Sequence, residues 1–241
     1  MDKVKKLPIA VLTGIALIAL VCVDAGAWGA RETRSIREVG GFDSVRFGTS
    51  GELIITQGDR EALEVVARAG DLPYIVTEVS NGTLSIGRQG AGPFLSFRTP
   101  VFRLMMTTIS SLEAHSSGNI SARDLRADSL RIRVSSSGGV SIASLAANSL
   151  EVLISSSGSL RAAGTVDRQD VLLSSSGNYT AGALSCKTAR VRVSSSGNAT
   201  LRVSDSLDAS VTSSGDVRYY GSPQGVNGKV TSSGRLVRLG D

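Results

Sequence analysis

The chain has 241 residues and a formal charge of +5, and only 4% of its residues are aromatic. This length allows one domain with a sizeable core, but the scarcity of large side chains argues against a helical or enzyme-like globule. Arginine supplies most of the charge without forming a basic block, so no nucleic-acid partner is expected. The abundance of serine, glycine and valine favours thin, repetitive β-structure.

Residues 1–27 have the layout of a secretory signal peptide. Three lysines within the first six residues precede an uncharged run from Leu7 to Val23, and "DAGA" supplies the A-x-A arrangement that ends at Ala27. An uncleaved N-terminal anchor is the alternative. Lipoprotein processing at Cys22 is disfavoured because Val21 stands where a small residue is needed. We therefore expect an exported protein of the periplasm or cell surface, with membrane contact only through a retained N-terminus.

Residues 28–39 are read as an N-terminal extension, and residues 40–241 as one domain. The part from 40 to 110 carries a degraded form of the repeat described below, and we expect it to form the entry and cap of that repeat. Its core-type residues are Val45, Phe47, Thr49, Gly51, Leu53 and Ile55, followed by Leu84 and Ile86 behind a second corner glycine, Gly82.

The segment "RQGAGPFLSFRTP", residues 88–100, interrupts this rhythm with glycine and proline and is expected to protrude as a loop. Phe94, Leu95 and Phe97 give it the most distinctive apolar side chains of the surface. Two interpretations stay open: a binding loop, or a flap that covers the open end of the first coils.

From residue 111 onward a Ser-Ser-Gly motif returns at a nearly constant interval. Successive glycines are separated by 20, 20, 19, 20, 18 and 19 residues, and a period this steady indicates stacked structural repeats. The seven glycines are Gly118, Gly138, Gly158, Gly177, Gly197, Gly215 and Gly234.

Aliphatic residues occupy three positions relative to each glycine. They share one parity, so on extended strands they face the same side and predict a core. Six before the glycine are Leu112, Ile132, Val152, Val171, Val191, Ala209 and Gly228; four before are Ala114, Val134, Ile154, Leu173, Val193, Val211 and Val230; two after are Ile120, Val140, Leu160, Tyr179, Ala199, Val217 and Leu236.

The opposite parity is polar and predicts a ladder of charges. Seven before the glycine stand Ser111, Arg131, Glu151, Asp170, Arg190, Asp208 and Asn227. If repeats stack about 4.8 Å apart, Arg131 meets Glu151, and Arg190 lies between Asp170 and Asp208. Exposed ion pairs contribute only about 0–1 kcal/mol each, so their expected use is to fix the register of neighbouring coils.

The serines and glycine of the motif are read as a structural corner. A column of hydroxyls from Ser116 to Ser232, two before each glycine, can fill a tight bend by hydrogen bonding along the stack, and glycine allows a positive φ there. No single repeat carries the histidine and acid partners of a triad, although the only histidine, His115, begins the outward column that continues with Ser135. Cys186 is read as a small, inert side chain, with a reactive thiol as the alternative.

Two architectures fit a 20-residue period with two apolar strands: a meander of hairpins and a parallel solenoid. We favour the solenoid because the second corner is filled by dissimilar segments, such as "ASLAANS" and "AAGTVDR", which a solenoid bulges outward. Charges of alternating sign in one column also suit in-register parallel coils.

The combination of "GGFDSVRFGTSGELIITQG" at 40–58, "TEVSNGTLSI" at 77–86 and serial S-S-G-N corners resembles the putative autotransporter-adhesin head GIN domain family over about residues 38–240. Here Ser116, Ser136 and their successors replace the first glycine of the G-S-G form often seen in that family. The resemblance implies an all-β fold, a right-handed parallel β-solenoid (β-helix) with coils of about 20 residues. It also implies a role in cell adhesion and a shape related to pectin lyases without their catalytic residues.

The sequence thus favours a non-enzymatic envelope module that binds a glycan or protein partner through a repetitive face. We assign no catalytic, cofactor-binding or metal residues. The alternatives are a polysaccharide-acting β-helix enzyme, a structural periplasmic scaffold and an ice-binding ladder. The enzyme is disfavoured because Arg190 separates Asp170 from Asp208, and the ladder because the outward column from Glu113 to Arg192 is neither uniform nor rich in threonine. A homo-oligomer is compatible with all of them.

The signal-peptide interpretation predicts that the mature protein begins at or near Trp28. N-terminal sequencing of the exported protein measures this directly. Retention of residues 1–27 would show an anchor instead.

Overall fold

The computed structural model describes residues 32–90 and 99–241, which form β-strands and one 3₁₀ turn at Leu72–Tyr74. The signal-peptide region and the aromatic residues of the 88–100 loop lie outside the described residues. Within these ranges no helix is long and apolar enough to cross a bilayer. The strands are β1 Glu32–Arg37, β2 Ser44–Phe47, β3 Glu52–Gln57, β4 Ala62–Arg68, β5 Ile75–Ser80, β6 Thr83–Arg88, β7 Val101–Met106, β8 Ser111–Ala114, β9 Asn119–Val134, β10 Gly139–Ile154, β11 Ser159–Leu173, β12 Asn178–Val193, β13 Asn198–Val211, β14 Asp216–Tyr220, β15 Gly225–Val230 and β16 Arg235–Gly240.

The chain is a parallel β-solenoid in which each coil pairs in register with the coils before and after it. Strand β10 pairs with β9 through three successive segments, Gly139–Ile142, Ser144–Ala147 and Ser149–Ile154. The unpaired residues between these segments mark two bends, and the Ser-Ser-Gly motif makes the third corner. The seven corner glycines therefore enclose six complete turns of about 20 residues.

The core columns predicted from the sequence are confirmed in the first six coils. Leu112, Ile132 and Val152, for example, are each fully buried and stack on one another. Full burial of an aliphatic side chain stabilises a fold by about 1.5–3 kcal/mol, so this column alone is a large share of the driving force. Val45, Phe47, Leu53 and Ile55 extend the same columns toward the N-terminus, as predicted.

The N-terminal end of the stack is closed by strands that run the other way. The coil made by β2 and β3 lies between the β6–β7 coil and the β8–β9 coil, so chain order and spatial order differ here. Strands β5 and β4 then pair antiparallel with β6 and β7, and β1 pairs antiparallel with β4. This change of direction ends the parallel ladder and covers its first coil.

The prediction of a coil corner at Gly82 is wrong. Asn81 and Gly82 both have positive φ and form the turn of the β5–β6 hairpin. Leu84 and Ile86 are buried as expected, but they follow a hairpin turn and not a coil corner. They stack beside Val45 and Phe47. An Asn-Gly pair is the strongest local signal for a two-residue hairpin turn, which explains the difference.

The corner glycines are required for a reason other than the predicted positive φ. None of the seven lies in the left-handed region. Instead, a Cβ at Gly177 would lie 2.7 Å from the carbonyl oxygens of both Ser156 and Gly158 in the preceding coil. The same two carbonyls of the preceding coil face the glycines at 138, 158, 197, 215 and 234. Each corner therefore packs backbone directly against backbone.

The hydroxyl column that was expected to run along the corner is also different in the structure. Of its members, Ser156 is the one whose hydroxyl makes a hydrogen bond within the described residues, donating to the Ser135 carbonyl over 2.9 Å. The carbonyls of this column, rather than its hydroxyls, meet the next coil. Small serines are needed here because they leave the backbone accessible for that contact.

The second corner does not bulge outward as predicted. Segments 143–149 and 162–168 stay within the parallel ladder, with a local shift of register where they pair with each other. Two consecutive exposed residues, such as Ala143 and Ser144, mark the bend, and Leu145 is buried directly after them. The side-chain alternation therefore inverts at the bend, and the chain turns without leaving the sheet.

The C-terminal end of the described chain carries no such cap. All six residues of β15 are exposed, and within the described residues β15 pairs only with β13 and β16 only with β14. Val226, Val230 and Leu239 are more than 40% exposed. The two ends of the solenoid therefore differ in kind, since one is covered by antiparallel strands and the other is a bare edge.

Replacing Gly177 by Val should destabilise the protein by about 1–3 kcal/mol or more, because the new side chain must push apart two coils whose backbones touch. Replacing the neighbouring Ser176, which is exposed, by Val should change stability by less than about 0.5 kcal/mol. Thermal unfolding of the two variants tests this, and equal losses would refute the corner geometry.

Candidate binding groove

A groove runs along the axis of the solenoid, where the third paired segment of each coil begins. In β10 this is the start of the segment Ser149–Ile154. It consists of two cavities of about 770 and 420 Å³, which share Ser129 and Glu151 on their walls. Together they cross nine strand levels, from Thr83 to Asn227. At about 4.8 Å per level the axial groove is roughly 38 Å long.

Three rows of side chains line the axial groove. The hydroxyl row contains Ser129, Ser149, Thr188 and Ser206, with Arg168 in its middle; the floor contains Leu150, Gln169, Ala189, Leu207 and Val226; the charged row contains Arg131, Glu151, Asp170, Arg190, Asp208 and Asn227. Each row is one column of the parallel ladder, so its members repeat at the coil spacing.

The charged row was predicted from the sequence, and most of its pairs are confirmed. Arg131 Nε lies 2.7 Å from Glu151 Oε2, and Arg190 Nε lies 3.2 Å from Asp208 Oδ2. Asp170 differs, because it pairs with Arg192 at 3.1 Å rather than with Arg190. The ladder places Asp170 directly beside Glu151, and two adjacent carboxylates repel, so each is neutralised by its own arginine.

Arg168 is the one charged side chain lining the larger cavity that has no acidic partner among the described residues. Its backbone neighbours in the ladder are Ser149 on one side and Thr188 on the other. All three are at least partly exposed along the groove, and Ser149 donates a hydrogen bond of 2.9 Å to Ser129. The result is a guanidinium flanked by hydroxyls and open to solvent.

Beneath the floor lies a buried chain of polar groups. The Tyr179 hydroxyl donates to Gln169 Oε1 over 2.6 Å, Gln169 Nε2 donates to Cys186 Sγ over 2.9 Å, and the Cys186 thiol donates to the Arg202 carbonyl over 3.2 Å. Burial raises the pKa of Tyr179 and raises that of Cys186 to about 11. Both groups are therefore held as neutral donors, which leaves each polar atom of Gln169 with a partner.

The structure brings together a serine, a histidine and an acid from two successive coils. Ser135 Oγ lies 2.8 Å from His115 Nδ1, and His115 Nε2 lies 3.0 Å from Glu113 Oε2. Glu113 is also bonded by Arg46 at 2.9 Å. Burial acts to raise the pKa of Glu113, but the bonds from His115 and Arg46 outweigh it and lower the pKa overall.

The serine and the histidine of this cluster lie away from the groove. His115 and Ser135 stand on the outer surface at a coil corner and line neither cavity of the groove. The carboxylate that would orient the histidine is already shared with Arg46, and Arg133 lies 3.7 Å away. The contact links the first regular coil to the next. The prediction that no single coil carries the histidine and an acid partner is wrong, because His115 and Glu113 lie in one coil and are hydrogen-bonded, while Ser135 comes from the next coil.

The floor is the part of the groove that sequence reasoning missed. Its residues lie eight positions before the corner glycine of the same coil. This position faces the same side as the predicted core columns and is the next one toward the N-terminus. Gln169 and Ala189 interrupt the aliphatic pattern there and weaken the signal. No group of three or more potential metal ligands occurs within residues 32–90 and 99–241.

The fold and the groove define a repeat protein of the parallel β-solenoid class. The chain belongs to the putative auto-transporter adhesin, head GIN domain family, whose profile matches residues 41–223. No curated protein matches the sequence.

Solved structures share the fold at low sequence identity. A putative adhesin from Bacteroides fragilis NCTC 9343 superposes with a TM-score of 0.81 and 21% identity over 88% of this chain and 98% of its own. A putative adhesin from Parabacteroides merdae ATCC 43184 has a TM-score of 0.70 and 19% identity, covering 87% and 96%. A putative lipid binding protein from Parabacteroides distasonis ATCC 8503 gives 0.70 and 20%, covering 86% and 96%.

The Cys186 thiol should resist alkylation at pH 8 in the folded protein, because it is buried and a pKa of about 11 leaves roughly one thiolate in a thousand. The measurement is the rate of iodoacetamide labelling in a Cys22→Ser variant, where Cys186 is the only cysteine. Labelling in guanidinium chloride provides the reference rate. Comparable rates in the two conditions would contradict the buried hydrogen-bonded thiol.

Proposed function

We propose that this protein is a non-enzymatic adhesin module of the cell envelope that binds a linear glycan lengthwise in the axial groove. The observation that carries the proposal is the continuity of the groove across nine strand levels, with hydroxyl side chains at most of them and a charged row beside them from Arg131 to Asp208. A polymer with repeating units can make the same weak contact many times along such a surface, so affinity accumulates without a deep pocket.

The chemistry of the rows suits a sugar. Hydroxyls of Ser129, Ser149, Thr188 and Ser206 donate to and accept from sugar hydroxyls, and the charged row opposite them offers further donors and acceptors. Between the two rows Leu150, Ala189 and Leu207 are at most 5% exposed, so the floor has no protruding side chain at these levels and a sugar ring can lie flat above it. An exported location, in the periplasm or at the cell surface, would place this groove among envelope and host polysaccharides.

A binding function without turnover is supported by the way the ionisable groups are used. Glu151, Asp170 and Asp208 each pair with an arginine, which leaves none of them free as a general acid or base. The serine and the histidine of the first coils lie away from the groove.

Replacing Thr188 by Trp fills the middle of the groove and should weaken glycan binding about tenfold or more, because a continuous polymer can no longer lie across that level. Affinity electrophoresis in gels that contain hydroxyethyl cellulose, xylan, polygalacturonate or alginate measures the retardation. Assays of new reducing ends on the same mixtures measure turnover, which should be absent.

The matched control is Thr180→Trp, an exposed threonine of the same strand that lies outside the groove. It should bind as the unmodified protein does, and both variants should unfold at the same temperature. Retardation by none of the polymers, or equal retardation of the two variants, would refute the proposed function, as would release of reducing ends.

A further inference from the structure

Three consecutive residues of β11 each break the pattern of their own row in the axial groove. Arg168 stands in a row of hydroxyls, Gln169 in an aliphatic floor, and Asp170 beside another acid, Glu151. The surrounding coils are regular at these positions. The β11 level of the groove therefore presents different chemical groups from the levels on either side of it.

Each acid that lines the larger cavity has an arginine partner. Glu151 pairs with Arg131, Asp170 with Arg192, and Asp208 with Arg190. Asp170 is two residues from Arg168 on the same strand and could have neutralised it. Because Asp170 pairs with Arg192 instead, Arg168 keeps its charge unpaired within the described residues. The guanidinium of Arg168 remains as the uncompensated charge of the cavity within the described residues.

The neighbours of Arg168 complete a set of donors for an anion. Ser149 and Thr188 flank it in the ladder, about 4.8 Å away on either side. A guanidinium presents parallel N–H groups that match a carboxylate in a two-point contact, and adjacent hydroxyls can donate to the same oxygens. Gln169, whose amide is tied to Tyr179 and Cys186 below, keeps the backbone of this level fixed.

Resting on the proposed glycan-binding function, we infer that the axial groove selects acidic linear polysaccharides and that Arg168, with Ser149 and Thr188, binds a carboxylate of the polymer. The sugar units on either side lie against the neutral levels of the groove. Selection therefore depends on one acid-binding level within an otherwise tolerant surface.

The experiment compares polymers that share a backbone and differ in charge. Affinity electrophoresis is run with polygalacturonate and alginate, and with the fully methyl-esterified form of each. The unmodified protein should bind each acidic polymer about tenfold more tightly than its ester, which is the scale of a charge-assisted hydrogen bond to a carboxylate. The preference should fall as salt is raised.

Arg168→Gln should abolish this preference, so that acid and ester bind alike and at the level of the ester. The matched control is Arg161→Gln, which removes the same charge from an exposed arginine of the same strand outside the groove and should leave the preference intact. Thermal unfolding confirms that both variants are folded, as expected for exposed positions.

The outcomes separate this inference from the proposed function. Groove-dependent binding, sensitive to Thr188→Trp but equal for acid and ester, would overturn the acidic preference and leave glycan binding standing. Equal losses in Arg168→Gln and Arg161→Gln would show general charge attraction and also overturn it. Binding of no polymer would refute both.

Discussion

The close approach of backbone to backbone at the coil corners is the contact on which the rest of this structure depends. Each corner glycine faces two carbonyls of the coil before it, and no side chain fits between them. Because the corners are locked at this distance, successive coils return to the same register after the local shifts at their bends. Register in turn aligns the aliphatic columns into a core and the polar columns into rows. The groove is therefore a consequence of corner packing repeated over successive coils.

The sequence predicted the parts of the fold that repeat at a fixed distance from the glycine. The columns through Ile132, Val134 and Val140, and the ion pair of Arg131 with Glu151, follow from spacing and parity alone. The bend at Ala143 and Ser144 did not, because the side-chain alternation inverts there. Differences in coil length between 18 and 20 residues are taken up by register shifts at the bends. The hairpin at Gly82 was misread because one glycine signal serves two kinds of turn.

The candidate site lies where the repeat is least regular. A perfectly repeated coil would give a groove that is the same at every level and so could not distinguish one polymer from another of similar shape. The level of Arg168, Gln169 and Asp170 differs from its neighbours on the surface and underneath, where Tyr179 and Cys186 complete a buried polar chain. Sequence columns reveal the regular surface well, but the pairing of Asp170 with Arg192, while its ladder neighbour Arg190 pairs with Asp208, is visible only in three dimensions.

The corner contacts give the regular part of the stack a direction along the chain. From Gly138 onward the carbonyls that face each corner glycine belong to the coil immediately before it in sequence. Each new coil then closes a loop of only about 20 residues, for which the entropic cost is small and nearly constant. The N-terminal coils differ, because the β2–β3 coil pairs on both sides with strands that come much later in the chain, β7 and β9. The regular coils therefore depend on contacts about 20 residues apart, whereas the N-terminal end depends on contacts between more distant segments.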